Sequence, residues 1–107
     1  MDEMMEYIDR QREWSIRTFG PGRRTVGICK HIRKEIKEVL AEPESLEEWV
    51  DIIILAIDGA WRAGYMPEAI IAGLQAKQTI NIFNRQWPPV EAEDMPTEHI
   101  REDCLET

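Results

Sequence analysis

The chain has 107 residues, of which 32% are charged, and its formal net charge is -8 at pH 7. This length suits one domain with a helical core that gains from burying more surface in an oligomer. A strongly acidic chain is a poor partner for nucleic acid polymers and for anionic membrane surfaces, so we expect neither kind of partner.

The negative charge is concentrated after Pro89. Arg101 stands there against a run of acidic residues: Glu91, Glu93, Asp94, Glu98, Glu102, Asp103 and Glu106. Prolines and few apolar residues accompany these acids. We therefore expect a domain over residues 1–89 and an acidic, flexible tail over residues 90–107, or a short docked helix around residues 97–105.

Cysteine usage and hydropathy indicate a reduced, cytoplasmic protein. Cys29 and Cys104 are far apart and match no metal-ligand or redox spacing. No signal-peptide pattern opens the chain. The most apolar run, residues 50–60, contains Asp51 and Asp58 and is too short to span a bilayer.

Apolar periodicity predicts four helices and no strand, which is typical of an all-α antiparallel bundle. The predicted helices cover about residues 2–17, 26–41, 46–63 and 67–86. The third is apolar around most of its circumference, so we expect it to be buried on several sides. Between the first two lies a turn, F-G-P-G-R-R-T, whose Arg23 and Arg24 are interpreted as solvated, with contact to an anionic ligand as the alternative.

Two carboxylate pairs stand on consecutive predicted helices: Glu35-x-x-Glu38 and Glu48-x-x-Asp51. Residues three apart share a helix face, so each pair directs two carboxylates the same way. The intervening A-E-P-E-S supplies a bend, and if the helices fold back antiparallel the four carboxylates meet. Such a cluster repels itself unless a cation neutralises it, and oxygen ligands suit Mg²⁺, with Mn²⁺ as the substitute.

Each pair also has an interpretation without a metal. The first pair could form surface ion pairs with nearby basic residues, namely Arg33, Lys34 and Lys37. In the second pair, Ser45-x-x-Glu48 matches a capping box, in which the glutamate bonds to the serine backbone amide. Asp51 has no such alternative and is the most informative of the four.

Two charged residues of the third predicted helix, Asp58 and Arg62, are four apart. An unpaired carboxylate in so apolar a helix costs several kcal/mol, which favours an ion pair within the helix. Both residues are also candidates for substrate binding.

The fourth predicted helix carries a stripe that begins apolar and then changes to Lys77, Asn81 and Arg85. Such a face suits an anionic ligand at one end of a bundle. Basic residues at a solvated helix C-terminus also complement the helix dipole. Periodicity does not separate the two interpretations.

Four segments carry a resemblance to a known family: F-G-P-G-R-R, H-I-R-K-E-I-K-E, E-E-W-V-D-I-I-I-L-A-I-D-G-A-W-R-A-G and K-Q-T-I-N-I-F-N-R-Q-W-P. With the two carboxylate pairs they resemble the all-α nucleoside triphosphate pyrophosphohydrolases of the MazG-like superfamily. More narrowly, they resemble its phage and bacterial dATP/dGTP pyrophosphohydrolase branch. The resemblance covers about residues 14–88 and leaves out most of the first helix and the acidic tail.

The resemblance implies a Mg²⁺-dependent hydrolase that splits dATP or dGTP into the monophosphate and pyrophosphate. By position, Glu35, Glu38, Glu48 and Asp51 would hold the metal. Glu38 and Glu48 are the candidates for the base that accepts the proton of the attacking water.

The chemistry of the remaining polar and aromatic residues suggests contacts to the other parts of such a substrate. Lys77 and Arg85 would stabilise the leaving pyrophosphate, and Asn81 would bond phosphate or sugar. Aromatic residues of a small helical protein belong to the core more often than to a binding site. Three are nevertheless available to stack on the base: Trp14, Phe19 and Trp61.

Enzymes of this superfamily work as dimers or larger assemblies, so we expect a homodimer or homotetramer in the cytoplasm, that of the host if the chain is phage-encoded. Two other functions stay open at this point. One is the same fold acting on dUTP, dCTP or a modified nucleotide. The other is a non-catalytic helical interaction module, which predicts neither metal-dependent stabilisation nor hydrolysis.

Overall fold

The computed structural model describes residues 2–90 and 93–101. These residues form four α-helices, α1 (Glu3–Phe19), α2 (Thr25–Ala41), α3 (Leu46–Arg62) and α4 (Pro67–Thr79), followed by a π-helical turn (Ile80–Asn84). The described ranges contain no strand beyond an isolated bridge between Gln86 and Ile100. The prediction of an all-α fold is therefore confirmed. No helix within these ranges combines the length and the apolar character needed to cross a bilayer.

The chain divides into two compact units, Met1–Ile71 and Ala72–Thr107. The division falls inside α4, and the predicted domain boundary at residue 89 stays a prediction. Residues 97–101 of the predicted docked helix are not helical. The rest of that segment, residues 102–105, and Cys104 with it, lies outside the described residues.

The helix ends of the first unit follow local sequence signals. The Asp2 side chain accepts a 3.0 Å hydrogen bond from the Met4 backbone amide and so caps α1. At the other end of α1, Gly20 adopts a φ of 87° and its amide donates to the Ile16 carbonyl. Gly22 has a φ of 95°, also in the left-handed region that glycine reaches most easily. The predicted break at this turn is confirmed.

The core of the first unit lies between α1 and α3. Ile8, Ile57 and Trp61 are buried there, surrounded by partly buried apolar residues: Met4, Tyr7, Ile16, Ile70 and Ile71. α3 packs against both α1 and α2. Even so, Trp49 and Ile53 of α3 are 49% and 53% exposed, so the helix is buried on fewer sides than predicted.

In the second unit the helical hydrogen-bond pattern changes. The predicted fourth helix is α-helical to Thr79, then π-helical to Asn84. A π-turn leaves backbone carbonyls without their α-helical partners, and the Trp87 indole N–H donates to the Asn81 carbonyl at 2.7 Å. Beyond it, the Ile100 amide donates to the Gln86 carbonyl at 2.7 Å.

Candidate metal centre and adjoining cleft

The four predicted carboxylates converge where α2 packs against α3. One carboxylate oxygen from each residue lies within 4.8 Å of those of the other three: Glu35, Glu38, Glu48 and Asp51. The bend between the two helices is short, and two hydrogen bonds stabilise it. The Ser45 amide donates to the Glu42 carbonyl at 3.1 Å, and the Trp49 indole donates to the Pro43 carbonyl at 2.9 Å.

Burial leaves two oxygens of this cluster without partners. Glu35 is 7% exposed, while Glu48 and Asp51 are half-buried and Glu38 is exposed. Within residues 2–90 and 93–101, Glu35 Oε2 and Glu48 Oε2 are buried and have no hydrogen-bond partner. A buried carboxylate oxygen in that state carries an uncompensated desolvation cost, which a bound cation would offset.

The pKa values of two cluster members respond to this crowding. A proton that Glu35 can share with the Glu38 carboxylate, then desolvation by burial and the charges of Glu38 and Asp51, raises the pKa of Glu35. Desolvation by burial, then a proton that can be shared with Glu38 and the charges of Glu38, Asp51 and Glu35, raises the pKa of Glu48. Like charges held together favour the protonated form. A divalent cation would reverse that preference.

Both non-metal interpretations of the pairs fail in the described part of the chain. Arg33, Lys34 and Lys37 form no ion pair with Glu35 or Glu38 there. The side chain that contacts Glu35 is His31, whose Nε2 lies 3.1 Å from Glu35 Oε1. The Ser45 side chain makes no capping hydrogen bond, and its amide is used by Glu42. The predicted capping box is therefore wrong.

The donor set fits a hard divalent cation. It consists of carboxylate oxygens alone, two of them buried and unpartnered, with a histidine that orients one ligand through its other oxygen. Oxygen-only ligation suits Mg²⁺ or Mn²⁺ rather than Zn²⁺.

A cleft with a volume of about 240 Å³ adjoins this cluster and includes Asp51 in its wall. Of the three aromatic candidates for stacking, Trp14 and Phe19 line it, whereas Trp61 lies in the core. Arg24 also lines it and stacks over the Phe19 ring at 4.6 Å. Arg23 and Arg24 are both exposed, as the interpretation as solvated residues predicts, and contact of Arg24 with an anionic ligand stays a prediction.

Three further polar residues of the cleft were not among the predicted site residues: Gln11, Ser15 and His31. His31 is four residues before Glu35, so its spacing carried a signal. No sequence pattern indicated Gln11, because its hydrogen-bond partners Asp58 and Trp61 are distant in sequence.

The predicted ion pair between Asp58 and Arg62 is confirmed, with Nε 2.9 Å from Oδ2. Both side chains are buried, and Asp58 lines the cleft. The other partners of Arg62 are protein acceptors on α1 and in the glycine turn.

The remaining predicted substrate residues belong to the second unit. Arg85 donates from Nη1 to Asn81 Oδ1 at 2.9 Å, and Lys77 is exposed. Burial first, then the positive charges of Arg85, Arg101 and Lys77, lowers the pKa of His99. The negative charge of Glu98 acts in the opposite direction. The role of Lys77, Asn81 and Arg85 in substrate binding stays a prediction.

An all-α fold with a cluster of four carboxylates beside a cleft lined by Trp14 and Phe19 defines the class: a helical protein with a candidate divalent-cation site next to a cleft. The chain belongs to the dATP/dGTP pyrophosphohydrolase family, whose sequence model matches residues 7–106. It is accordingly a hydrolase acting on the anhydride bonds of nucleoside triphosphates. No curated protein and no solved structure matches the chain significantly.

Proposed function

We propose that the protein is a Mg²⁺-dependent pyrophosphohydrolase that converts dATP and dGTP to the monophosphate and pyrophosphate. The observation that carries this proposal is the cluster of four carboxylates with two unpartnered buried oxygens, opening through Asp51 onto the cleft. Family membership supplies the reaction class.

In this proposal Glu35, Glu38, Glu48 and Asp51 hold the metal. Bound Mg²⁺ supplies charge neutralisation for the triphosphate and lowers the pKa of the attacking water. Water adds to the α-phosphorus, the bond from that phosphorus to the bridging oxygen breaks, and pyrophosphate leaves with the bond electrons. Glu38 and Glu48 are the candidate acceptors of the water proton.

The cleft is the proposed site of the nucleoside. Trp14 and Phe19 meet edge to face with ring centroids 5.6 Å apart, and both rings line the cleft. Each is 50% exposed, so ring surface is accessible for contact with a base. Family membership is the basis for proposing purine substrates, because the Trp14 and Phe19 rings could contact any base.

Lys77 and Arg85 are proposed to stabilise the leaving pyrophosphate, with Asn81 bonding phosphate or sugar. The positive charges of Lys77 and Arg85 suit an anionic leaving group. The hydrogen bond from Arg85 to Asn81 restricts both side chains.

A homodimer or homotetramer is proposed as the working form, in the cytoplasm, where deoxynucleoside triphosphates are consumed. Apolar residues exposed on α2 and α3 support it: Ile36, Leu40, Leu46, Trp49 and Ile53. Light scattering after size exclusion should give a multiple of the 12.5 kDa chain mass. A stable monomer at micromolar concentration would reject the oligomer.

An endpoint assay tests the reaction. Each common deoxynucleoside and ribonucleoside triphosphate is incubated with Mg²⁺, and monophosphate, diphosphate, pyrophosphate and phosphate are separated. We expect monophosphate and pyrophosphate from dATP and dGTP, loss of turnover in Glu38→Gln, and retained turnover in the matched control Glu47→Gln, an exposed acid outside the cluster. Turnover of dUTP or dCTP alone would reassign the substrate, and no turnover with Mg²⁺ or Mn²⁺ would favour the interaction module.

A further inference from the structure

Arg62 uses every N–H of its guanidinium within the protein, and its side chain is 1% exposed. Nε donates to Asp58 Oδ2 at 2.9 Å. Nη1 donates to the carbonyls of Gly20 and Gly22, at 2.9 and 2.8 Å. Nη2 donates to the Ser15 hydroxyl at 2.9 Å and to the Ser15 carbonyl at 3.4 Å. A guanidinium has five donors, so none is left for a ligand.

The two glycine carbonyls that Arg62 holds belong to the turn between α1 and α2. Phe19 precedes this turn and Arg24 follows it, and both side chains line the cleft. Gly20 and Gly22 both have positive φ, so the path of the turn depends on unusual backbone geometry at two positions. Arg62 therefore fixes the backbone from which one wall of the cleft projects.

Asp58 links Arg62 to Gln11, a second polar residue that lines the cleft. Its Oδ2 accepts from Arg62, and its Oδ1 accepts from the Gln11 side-chain amide at 3.2 Å. The Gln11 carbonyl oxygen in turn accepts from the Trp61 indole at 3.0 Å. Each group in this chain of hydrogen bonds is oriented by the next, from the core to the turn.

We propose that Arg62 is a positioning residue, which holds the Gly20–Gly22 turn so that Phe19 and Arg24 form the nucleoside wall of the cleft. This inference rests on the proposed function, and it replaces the predicted role of Arg62 as a substrate contact. The hydrogen bonds from Arg62 to Asp58, Ser15 and the turn carbonyls form a clamp on this turn. Their loss loosens the cleft wall and weakens nucleotide binding. The carboxylate cluster lies on α2 and the first part of α3, so the chemical step is preserved.

Two variants test the clamp, one by changing Arg62 and the other by changing the turn that Arg62 holds. In Arg62→Lys, a single ammonium cannot serve the Asp58, Ser15 and turn acceptors together. In Gly22→Ala the clamp residue is intact, the added methyl meets nothing within 4 Å, and the disturbance is confined to the backbone. The control is Gly64→Ala, which strains a glycine of φ 113° with the same open surroundings but outside the cleft.

The readouts are steady-state kinetics with the preferred triphosphate, thermal unfolding, and hydrogen exchange over residues 19–24. Both test variants should raise KM by about tenfold with kcat within about twofold of wild type, and should exchange faster over the turn. Gly64→Ala should lower the melting temperature and keep the wild-type KM.

Faster exchange over residues 19–24 with an unchanged KM, in either test variant, would overturn the inference. So would an equal rise in KM in Gly64→Ala, because instability alone would then explain the effect. An inactive wild-type chain is a separate result: it rejects the proposed function, and the inference falls with it.

Discussion

His31 Nε2 lies 3.1 Å from Glu35 Oε1, while the other oxygen of the same carboxylate is buried without a partner in the described structure. The histidine thus fixes one oxygen of Glu35 and leaves the second directed at the cluster. Partners of this kind orient metal ligands and tune their affinity.

Replacing His31 with alanine should therefore weaken metal binding more than it alters the chemical step. We expect the Mg²⁺ concentration for half-maximal activity to rise by about tenfold, with turnover at saturating Mg²⁺ nearly retained. A Mg²⁺ titration of initial rates measures this. Lys30→Ala, an exposed neighbour outside the cleft, is the control, and an unchanged midpoint in His31→Ala would contradict the prediction.

The metal-free protein should lose stability as pH rises above the ordinary pKa of glutamate. The pKa values of Glu35 and Glu48 are raised in the folded chain, so the folded state binds these protons more tightly than the unfolded state. Their contribution to the free energy of unfolding is complete at low pH and is lost as pH rises through the raised pKa values. Thermal unfolding in EDTA over a pH series measures the trend.

Saturating Mg²⁺ is the internal control for that series, because a cation bound to the carboxylates stabilises their charged forms. The contribution from these two residues should then no longer fall with rising pH. A metal-free melting temperature that instead rose across the same interval would contradict the assignment.

Glu35→Gln should stabilise the metal-free protein at neutral pH while abolishing its response to metal. The substitution removes one of four like charges and one ligand, and keeps the side-chain size. We expect a metal-free melting temperature a few degrees above wild type, no further increase with Mg²⁺, and loss of turnover. Glu47→Gln should keep the wild-type response to Mg²⁺, and a metal-induced shift that persisted in Glu35→Gln would count against the site.

Trp14→Ala should weaken nucleotide binding if the cleft takes the base. The ring is 50% exposed and lines the cleft, so its removal costs contact area with the ligand more than core packing. We expect KM to rise by about tenfold, in line with the loss of one stacking contact. Tyr65→Ala removes an aromatic ring of similar exposure outside the cleft and should leave KM unchanged; equal effects of the two substitutions would argue against stacking.

Much of the local structure was predictable because its causes are local. Pro43 and the glycines of the first turn ended helices where expected, and the apolar periodicity gave the helix bounds to within a few residues, except where α4 gives way to the π-turn. The spacing of Glu35 with Glu38, and of Glu48 with Asp51, placed each pair on one helix face. The resemblance to the family rested on the same short segments.

The candidate site was predictable only in part. The sequence allowed Glu48 to be a cap for Ser45 as readily as a metal ligand, and the hydrogen bond from the Ser45 amide to Glu42 decided against the cap. It also offered Trp61 on equal terms with Trp14 and Phe19, and the packing of α1 on α3 placed Trp61 in the core.

The sequence by itself determined the helices, their breaks and the grouping of carboxylates, because these depend on residues within a few positions of one another. Only the tertiary structure decided that carboxylate oxygens of the two pairs lie within 4.8 Å of one another and that the cleft adjoins Asp51. It also decided that Arg62 donates hydrogen bonds to Ser15, Gly20 and Gly22. Those contacts join residues far apart in the chain. They form only when helix packing brings distant segments together, and helical periodicity carries no information about which acceptors a buried guanidinium will meet.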